Sequence, residues 1–287
     1  MGLGGHMMWT AVAREIVETY KEQHGDFKIL PVSNNTLVRS EIFKNNPYFT
    51  YDQKEPHFIM DLSNPDTNYC IREEPYRAIH RNDKHVIEQV CEFYKIPNPS
   101  LKCELYLTNE ENAKADNILK GIGDFIAIEP HAKNSYTVNK EYSFEKWQSV
   151  VDSLKDEVQF VQIGVPSKKT LKNVIDFTGK TSYRETYRVI EKSLLFVGIE
   201  GGLMHVANSC GKKSVIVVPG FLHPDTFCYP ENINIQVCSY CEKNGPCGYT
   251  SKVCDDGKNE VKKHNEDIIV SSIREVMKEN EGISNGS

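Results

Sequence analysis

Two loops of this 287-residue chain carry the side chains and backbone that a phosphorylated ligand needs. The first reads Glu200-Gly201-Gly202-Leu203-Met204-His205. It follows an apolar run that reads as a strand and precedes a segment that reads as a helix. Paired glycines let a backbone come close to a ligand. The free N–H groups and positive dipole end of the following helix suit a phosphate. Glu200 can accept from sugar hydroxyls, and His205 can donate to a phosphate oxygen. The same pattern also fits a tight strand-to-helix turn with a core histidine, and a short glycine pair alone does not choose between them. The second loop is Pro130-His131-Ala132-Lys133-Asn134-Ser135, with Lys140 downstream. A lysine beside small polar residues such as Ser135 can neutralise a departing diphosphate without a metal. Taken alone, Lys140 is more simply a solvated surface lysine.

A third cluster is Cys238-x2-Cys241-x5-Cys247-x6-Cys254. Four thiolates at short spacing can bind zinc tetrahedrally. The spacing lacks a second C-x2-C pair, so thiols bracing a long loop are the preferred reading and no metal is expected. The other five of the nine cysteines are scattered, which favours reduced thiols. His57, His80 and His85 sit among polar neighbours and need no ligand role. Arg72, Arg77, Arg81 and Lys84 form a modest basic group that could meet an anionic acceptor or lipid surface, with a solvated face as the plainer reading.

The elements that must position these loops read as follows. Met8, Val12, Ile16 and Tyr20 recur at a spacing of four, which suits an amphipathic helix. Residues 27–32 and 57–62 read as strands, and 34–43, 83–94 and 109–119 as helices. Cys103 to Leu107 reads as extended. After Gly121 and Gly123 the rhythm becomes regular. Strands are expected at 125–128, 159–163, 194–199 and 214–218, and helices at 144–154, 167–174, 183–193, 203–209 and 268–277, with Ser143 as an N-cap. Alternation of this kind implies a parallel sheet covered on both faces. The boundary falls near residue 122, giving units of 1–122 and 123–287. The charged fraction of 26%, the apolar fraction of 39% and the 26 Tyr and Phe residues exclude global disorder. A net charge of −6 gives no bulk reason to bind nucleic acid. No segment has the roughly 20 apolar residues of a membrane span, and no secretory signal opens the chain, so the expected address is cytoplasmic.

Four blocks resemble glycosyltransferase family 9, which contains the lipopolysaccharide heptosyltransferases. Gly2-Leu3-Gly4-Gly5 with Thr10 to Arg14 is similar to the family's N-terminal glycine loop and helix. Glu104-Leu105-Tyr106-Leu107 is similar to its interdomain segment. Ile126 to Ala132, with Lys140 and Glu145-Lys146-Trp147, is similar to the opening of its donor domain. The longest match runs from Phe177-Thr178-Gly179-Lys180-Thr181-Ser182 through Leu195 to Gly198 and on to His205-Val206-Ala207-Asn208. The resemblance implies an α/β fold of GT-B type, with two Rossmann-like domains whose parallel sheets face each other across a cleft. It implies an inverting, metal-independent transfer of a heptose-like sugar from a nucleotide-sugar, with ADP-heptose the best-known donor. The acceptor would be a glycan or lipid-linked saccharide, with peripheral contact at the inner face of the membrane. The nucleotide-sugar is a co-substrate, and no cofactor is expected. On this pattern Lys140, Ser135, Glu200, Gly201, Gly202 and His205 map to the donor site. Thr178 and Gly179 would lie near the nucleotide base, and Gly4 and Gly5 in the acceptor-side loop.

One departure stands out. The family's glycine loop ends in an aspartate, and here that position is Gly5, followed by His6. Glycine cannot accept a proton. Either His6 takes the role, since imidazole titrates near neutral pH, or the chain is a sugar-nucleotide or glycan binding module without turnover. An epimerase of the same fold is a further alternative. The glycine segment also begins at Gly2, so the first domain is expected to lack the strand that would precede it.

Overall fold

The structure is a computed structural model. It describes residues 2–67, 70–74, 77–132, 136–166, 169–238 and 246–284, without the side chains of 71–74, 79 and 281–284. Helix α1 (Leu3–His24) opens the chain, and no strand precedes it among the described residues. Its apolar stripe, Met8, Val12 and Ile16, is buried as the spacing of four requires. Gly4 and Gly5 therefore lie inside the first helical turn and not in a loop, which corrects the expectation. Each glycine costs a helix about 1 kcal/mol, and burial of Met7, Met8, Trp9 and Val12 offsets that cost.

Strands β1 (Lys28–Ser33), β2 (Thr36–Leu37) and β3 (His57–Asp61) form a small sheet in the order β2-β1-β3, with β1 and β3 parallel. The helix expected at 34–43 is absent. Asn34 and Asn35 have φ of 47° and 60°, and they close a two-residue hairpin between β1 and β2. Asparagine is one of the few residues that tolerates this turn. A single 3-10 turn at Glu41–Phe43, capped by Ser40, is all the helix that remains. An antiparallel pair follows, β4 (Cys70–Glu74) and β5 (Arg77–His80). Helices α2 (Val86–Phe93) and α3 (Asn109–Ile118) each start with a reciprocal capping box, His85 with Glu88 and Thr108 with Glu111.

The larger sheet holds six parallel strands: β6 (Phe125–Glu129), β7 (Gln159–Gln162), β8 (Val174–Asp176), β9 (Phe196–Ile199), β10 (Ser214–Val218) and β11 (Ile233–Gln236). Their order is β11-β10-β9-β6-β7-β8. Helices α4 (Phe144–Leu154), α5 (Tyr183–Lys192), α6 (Gly202–Ser209), the short α7 (Pro224–Phe227), α8 (Asp255–Lys263) and α9 (Asp267–Ser284) complete the chain. Ser143 caps α4 as expected. Of the helix expected at 167–174, residues 167–168 lie outside the described residues and 169–173 is not helical. The buried Gln162 side chain accepts from the Leu171 backbone N–H at 2.8 Å and draws this segment onto the sheet, where it becomes β8.

Strand parity divides the core in two. Ile126 and Ile128 face one side, with Trp147 of α4 and Ile273 of α9. Phe125 and Ala127 face the other, and that second cluster continues without a break through α1, α2 and the small sheet. The two halves therefore share one core. Residues 103–107 cross between them, and side chains stitch the start of the crossing. The Cys103 N–H donates to Asn208 Oδ1 at 2.7 Å, and the Glu104 N–H donates to Thr10 Oγ1 at 2.8 Å.

Candidate active site

From β6 the chain runs outward to β7 and β8, then returns to β9 on the opposite side of β6. Such a reversal opens a crevice at the carboxyl ends of the two strands, here β6 and β9, and ligands bind there in open parallel sheets. Both loops singled out in the sequence begin at this crevice.

Beyond β9, Lys140 Nζ lies 2.6 Å from Glu200 Oε2. Glu200 is 5% exposed, so this ion pair is largely withdrawn from water. Lys140 also sits 5.3 Å over the Phe221 ring. Helix α6 starts two residues after Glu200, and its N-cap, Gly201, provides no side-chain hydrogen bond. The same holds for α1 and its N-cap, Gly2. The two helix ends meet. A Cβ on Gly4 would lie 3.1 Å from Gly202 Cα, and one on Gly202 would lie 3.8 Å from the Gly4 nitrogen. Neither first turn holds an acidic residue. Two positive dipole ends thus converge next to a lysine, an arrangement that attracts an anion. Tyr183 Oη, which donates to the Gly202 carbonyl at 2.7 Å, fixes this loop from α5.

His205 is buried on the same helix. Its Nδ1 is 2.6 Å from Tyr229 Oη, which in turn is 3.1 Å from Cys103 Sγ. Burial, with smaller contributions from His85 and Lys140, holds the imidazole down at about 3. It is a neutral core histidine whose ring edge abuts Gly4. Thr178 and Gly179 lie apart from this cluster, beyond the edge strand β8. Thr178 donates its backbone N–H and its hydroxyl to Asp176 Oδ1, at 2.9 and 2.6 Å. Gly179, at φ +68°, donates to the Gly164 carbonyl at 2.9 Å. Ser135 lies outside the described residues. His6 is on α1, two residues past Gly4 and roughly 200° round the helix. Its Nδ1 is 2.8 Å from Ser40 Oγ, its ring leans on Phe43, and burial lowers its pKa.

The model of glycosyltransferase family 9 (heptosyltransferase) matches residues 71–247. The chain belongs to glycosyltransferase family 9. No curated protein matches it. Among solved structures, the family 9 glycosyltransferase from Veillonella parvula is 11% identical, with a TM-score of 0.64 over 97% of this chain and 95% of that one. The ADP-heptose lipopolysaccharide heptosyltransferase II of E. coli is 13% identical, with a TM-score of 0.65 over 97% of both chains. TibC from enterotoxigenic E. coli, described as an iron-containing dodecameric glycosyltransferase, is 14% identical, with a TM-score of 0.65 over 97% of this chain and 74% of that one. At these identities the likeness is one of fold, and the fold is α/β of GT-B type. In this family 9 member the described residues of the first half hold a three-stranded sheet with one parallel pair and a separate antiparallel pair.

Three of the four clustered thiols are described, and all are buried: Cys238, Cys247 and Cys254. The Cys247 and Cys254 thiols are hydrogen-bonded, with Cys238 close enough to help raise the Cys247 pKa. Cys254 caps α8 by accepting from the Gly257 N–H at 3.4 Å. Among the described residues no group of three or more side chains is arranged to hold a metal ion, and Cys241 lies outside them. Beside Cys247, the Gly248 carbonyl accepts from the Ala78 N–H of the first half at 2.8 Å.

Glu129 was not singled out by its sequence. It ends β6 at the crevice, and burial alone pushes its carboxyl up to about 8. The apolar run Phe125 to Ile128 pointed to the strand; the half-buried Glu129 that ends it has its carboxyl beside Gly164, far along the chain.

Proposed function

We propose that this family 9 chain moves a heptose-like sugar from an ADP-linked donor to a glycan or lipopolysaccharide-type acceptor, by inverting displacement and without a metal. The supporting observation is the convergence of the α1 and α6 N-termini beside Lys140. In glycosyl transfer, negative charge develops on the leaving diphosphate. Two helix dipoles and a lysine oppose that charge without reorganising. Glu200 holds the lysine in place and is well situated for sugar hydroxyls. The nucleotide-sugar belongs to the 123–287 side and the acceptor to the 1–122 side. The family and a relative solved in complex with ADP-D-β-D-heptose favour ADP as the nucleotide.

A thermal-shift series with ADP-heptose and with GDP-, UDP- and CMP-sugars tests this reading. A ligand at about one hundred times its Kd stabilises the native state by about 2.7 kcal/mol. The expected result is a shift with ADP-heptose and ADP. No shift with any of the set overturns the donor site. Incubation with ADP-heptose alone is expected to yield no isomerised sugar, and an isomer would favour an epimerase.

A further inference from the structure

The geometry points to a second copy of this chain as the occupant of the open edge of strand β3. In the small sheet β1 has a neighbour on each side, whereas β3 pairs with β1 alone among the described residues. The direction of its backbone groups follows from the bonds that flank it. The Lys28 N–H donates to the Pro56 carbonyl at 3.0 Å, and the Leu62 N–H donates to the Val32 carbonyl at 2.8 Å. With Leu30 in register with Ile59, the even-numbered residues of this stretch bond inward to β1. His57, Ile59 and Asp61 therefore turn their N–H and C=O groups outward. The Asp61 carbonyl accepts from the Asn64 N–H at 3.2 Å. The other outward groups have no partner among the described residues.

The side chains leave this edge equally open. Native proteins blunt an edge strand with a central charge, a proline, a bulge or a covering element. The middle of β3 is Phe58-Ile59-Met60, and its register with β1 runs without a bulge. Ile59 is 57% exposed and Phe58 40%. The Phe58 ring meets Tyr94 edge-on, with centroids 6.0 Å apart, and Tyr94 meets Phe93 at 5.0 Å. Phe93 is also exposed, so apolar surface continues from the strand onto the end of α2.

A second copy fits because β3 is complementary to itself. An antiparallel pair about a two-fold axis at Ile59 brings all five residues of each strand into register. Every outward-facing residue then falls at a hydrogen-bonded position. Ile59 exchanges both of its backbone bonds with the partner's Ile59, and the Asp61 N–H reaches the carbonyl of the partner's His57. On one face Ile59 packs against its twin, and His57 lies opposite the partner's Asp61, a base facing an acid. Ser63 engages Oδ1 of that carboxylate, at 2.9 and 2.6 Å, which leaves Oδ2 for the partner. On the other face Phe58 lies opposite the partner's Met60. The product is one sheet of six strands with β3 of each copy in its interior. This pairing is independent of the transfer reaction.

Sedimentation equilibrium of the full chain from about 1 to about 200 µM tests the pairing. A strand pair of this length is small for an interface, so an exchange between monomer and dimer is expected within that range. Ile59→Lys sets two ammonium groups face to face and should weaken the dimer at least about tenfold, with the thermal midpoint of the monomer unchanged. The Cα atoms of a hydrogen-bonded antiparallel pair stand about 5.5 Å apart, within reach of a disulfide. Ile59→Cys should therefore cross-link to itself in oxidised glutathione. Thr36→Cys, on the opposite edge strand β2, should not. A chain that stays monomeric throughout overturns the proposal, and any other occupant of β3 would give that result. A dimer that Ile59→Lys leaves intact overturns it too, as does cross-linking of Thr36→Cys to the same extent as Ile59→Cys. If Ile59→Lys lowers the thermal midpoint, the cysteine variants decide: a dimer in which Ile59→Cys does not cross-link overturns the pairing.

Discussion

On the proposed reading, the Lys140–Glu200 pair serves both stability and binding. Removing one partner of a withdrawn ion pair leaves the other charged and unsolvated, which costs about 3–5 kcal/mol. Lys140→Ala is expected to destabilise by that order in urea unfolding and to weaken ADP-heptose binding at least tenfold. The double variant Lys140→Met with Glu200→Gln should regain most of the stability without regaining affinity, because the lone charge is gone but so is the cation facing the diphosphate. Equal recovery of both would mean that Lys140 acts only through the fold. Gly4 makes a different point at the same scale. A Cβ there would stand 3.1 Å from the Gly202 backbone, and backbone cannot swing aside. Gly4→Val should cost about 1–3 kcal/mol by overpacking, measured as a lower urea midpoint, and should weaken ADP binding by parting the two helix ends.

Between elements, the joint that matters is α3 against α5. Arg184 is 3% exposed, and it donates to Glu111 at 2.6 and 2.9 Å and to the Glu41 carbonyl at 2.8 Å. It also donates to the Tyr106 carbonyl. One side chain of the larger half thus holds three segments of the smaller one. The bond from Arg184 keeps the Glu111 carboxyl down at about 2, against 4.5 in an unstructured chain. A depressed carboxyl contributes stability that is complete above about pH 4.5 and is lost as the pH falls toward 2. Urea midpoints at pH 6 and pH 3 should therefore differ more in the wild type than in Arg184→Met. The elements themselves were largely legible. Helix α4 and strand β10 fall where Ser143 and the run Ser214 to Val218 put them, because cap and apolar run are both local. Residues 34–43 misled because Val38, Ile42 and Phe43 are spaced as in a helix, whereas the Asn34-Asn35 turn sets the backbone. The loop at Gly4 and Gly5 misled because helix formation there depends on α6, about 200 residues away. The glycine pair before α6 and Lys140 could be read directly. Their closeness to Gly4 exists only once the chain is folded.

The unbroken core running from α1 through both sheets has a consequence for the whole molecule. Heating should give a single calorimetric transition, with van't Hoff and calorimetric enthalpies equal; two separable transitions would mean that the halves are independent. Acid should act on that transition through buried imidazoles. Burial holds His205 at about 3 and His85 at about 4, against 6.5 when exposed. The unfolded chain binds these protons first, so stability is full above about pH 6.5 and declines as the pH falls toward 4, by about 1.4 kcal/mol per unit for each ring. A urea series from pH 7 to 4 checks the slope, and His85→Gln should roughly halve it. The meeting of α1 with α6 also bears on how the protein should be handled. Gly2 sits at the start of a helix whose first turn touches Gly202, so any peptide fused ahead of it must emerge at the mouth of the proposed nucleotide crevice. If the donor binds as proposed, an affinity handle there competes with it for the same space, and purification through the α9 end avoids that competition.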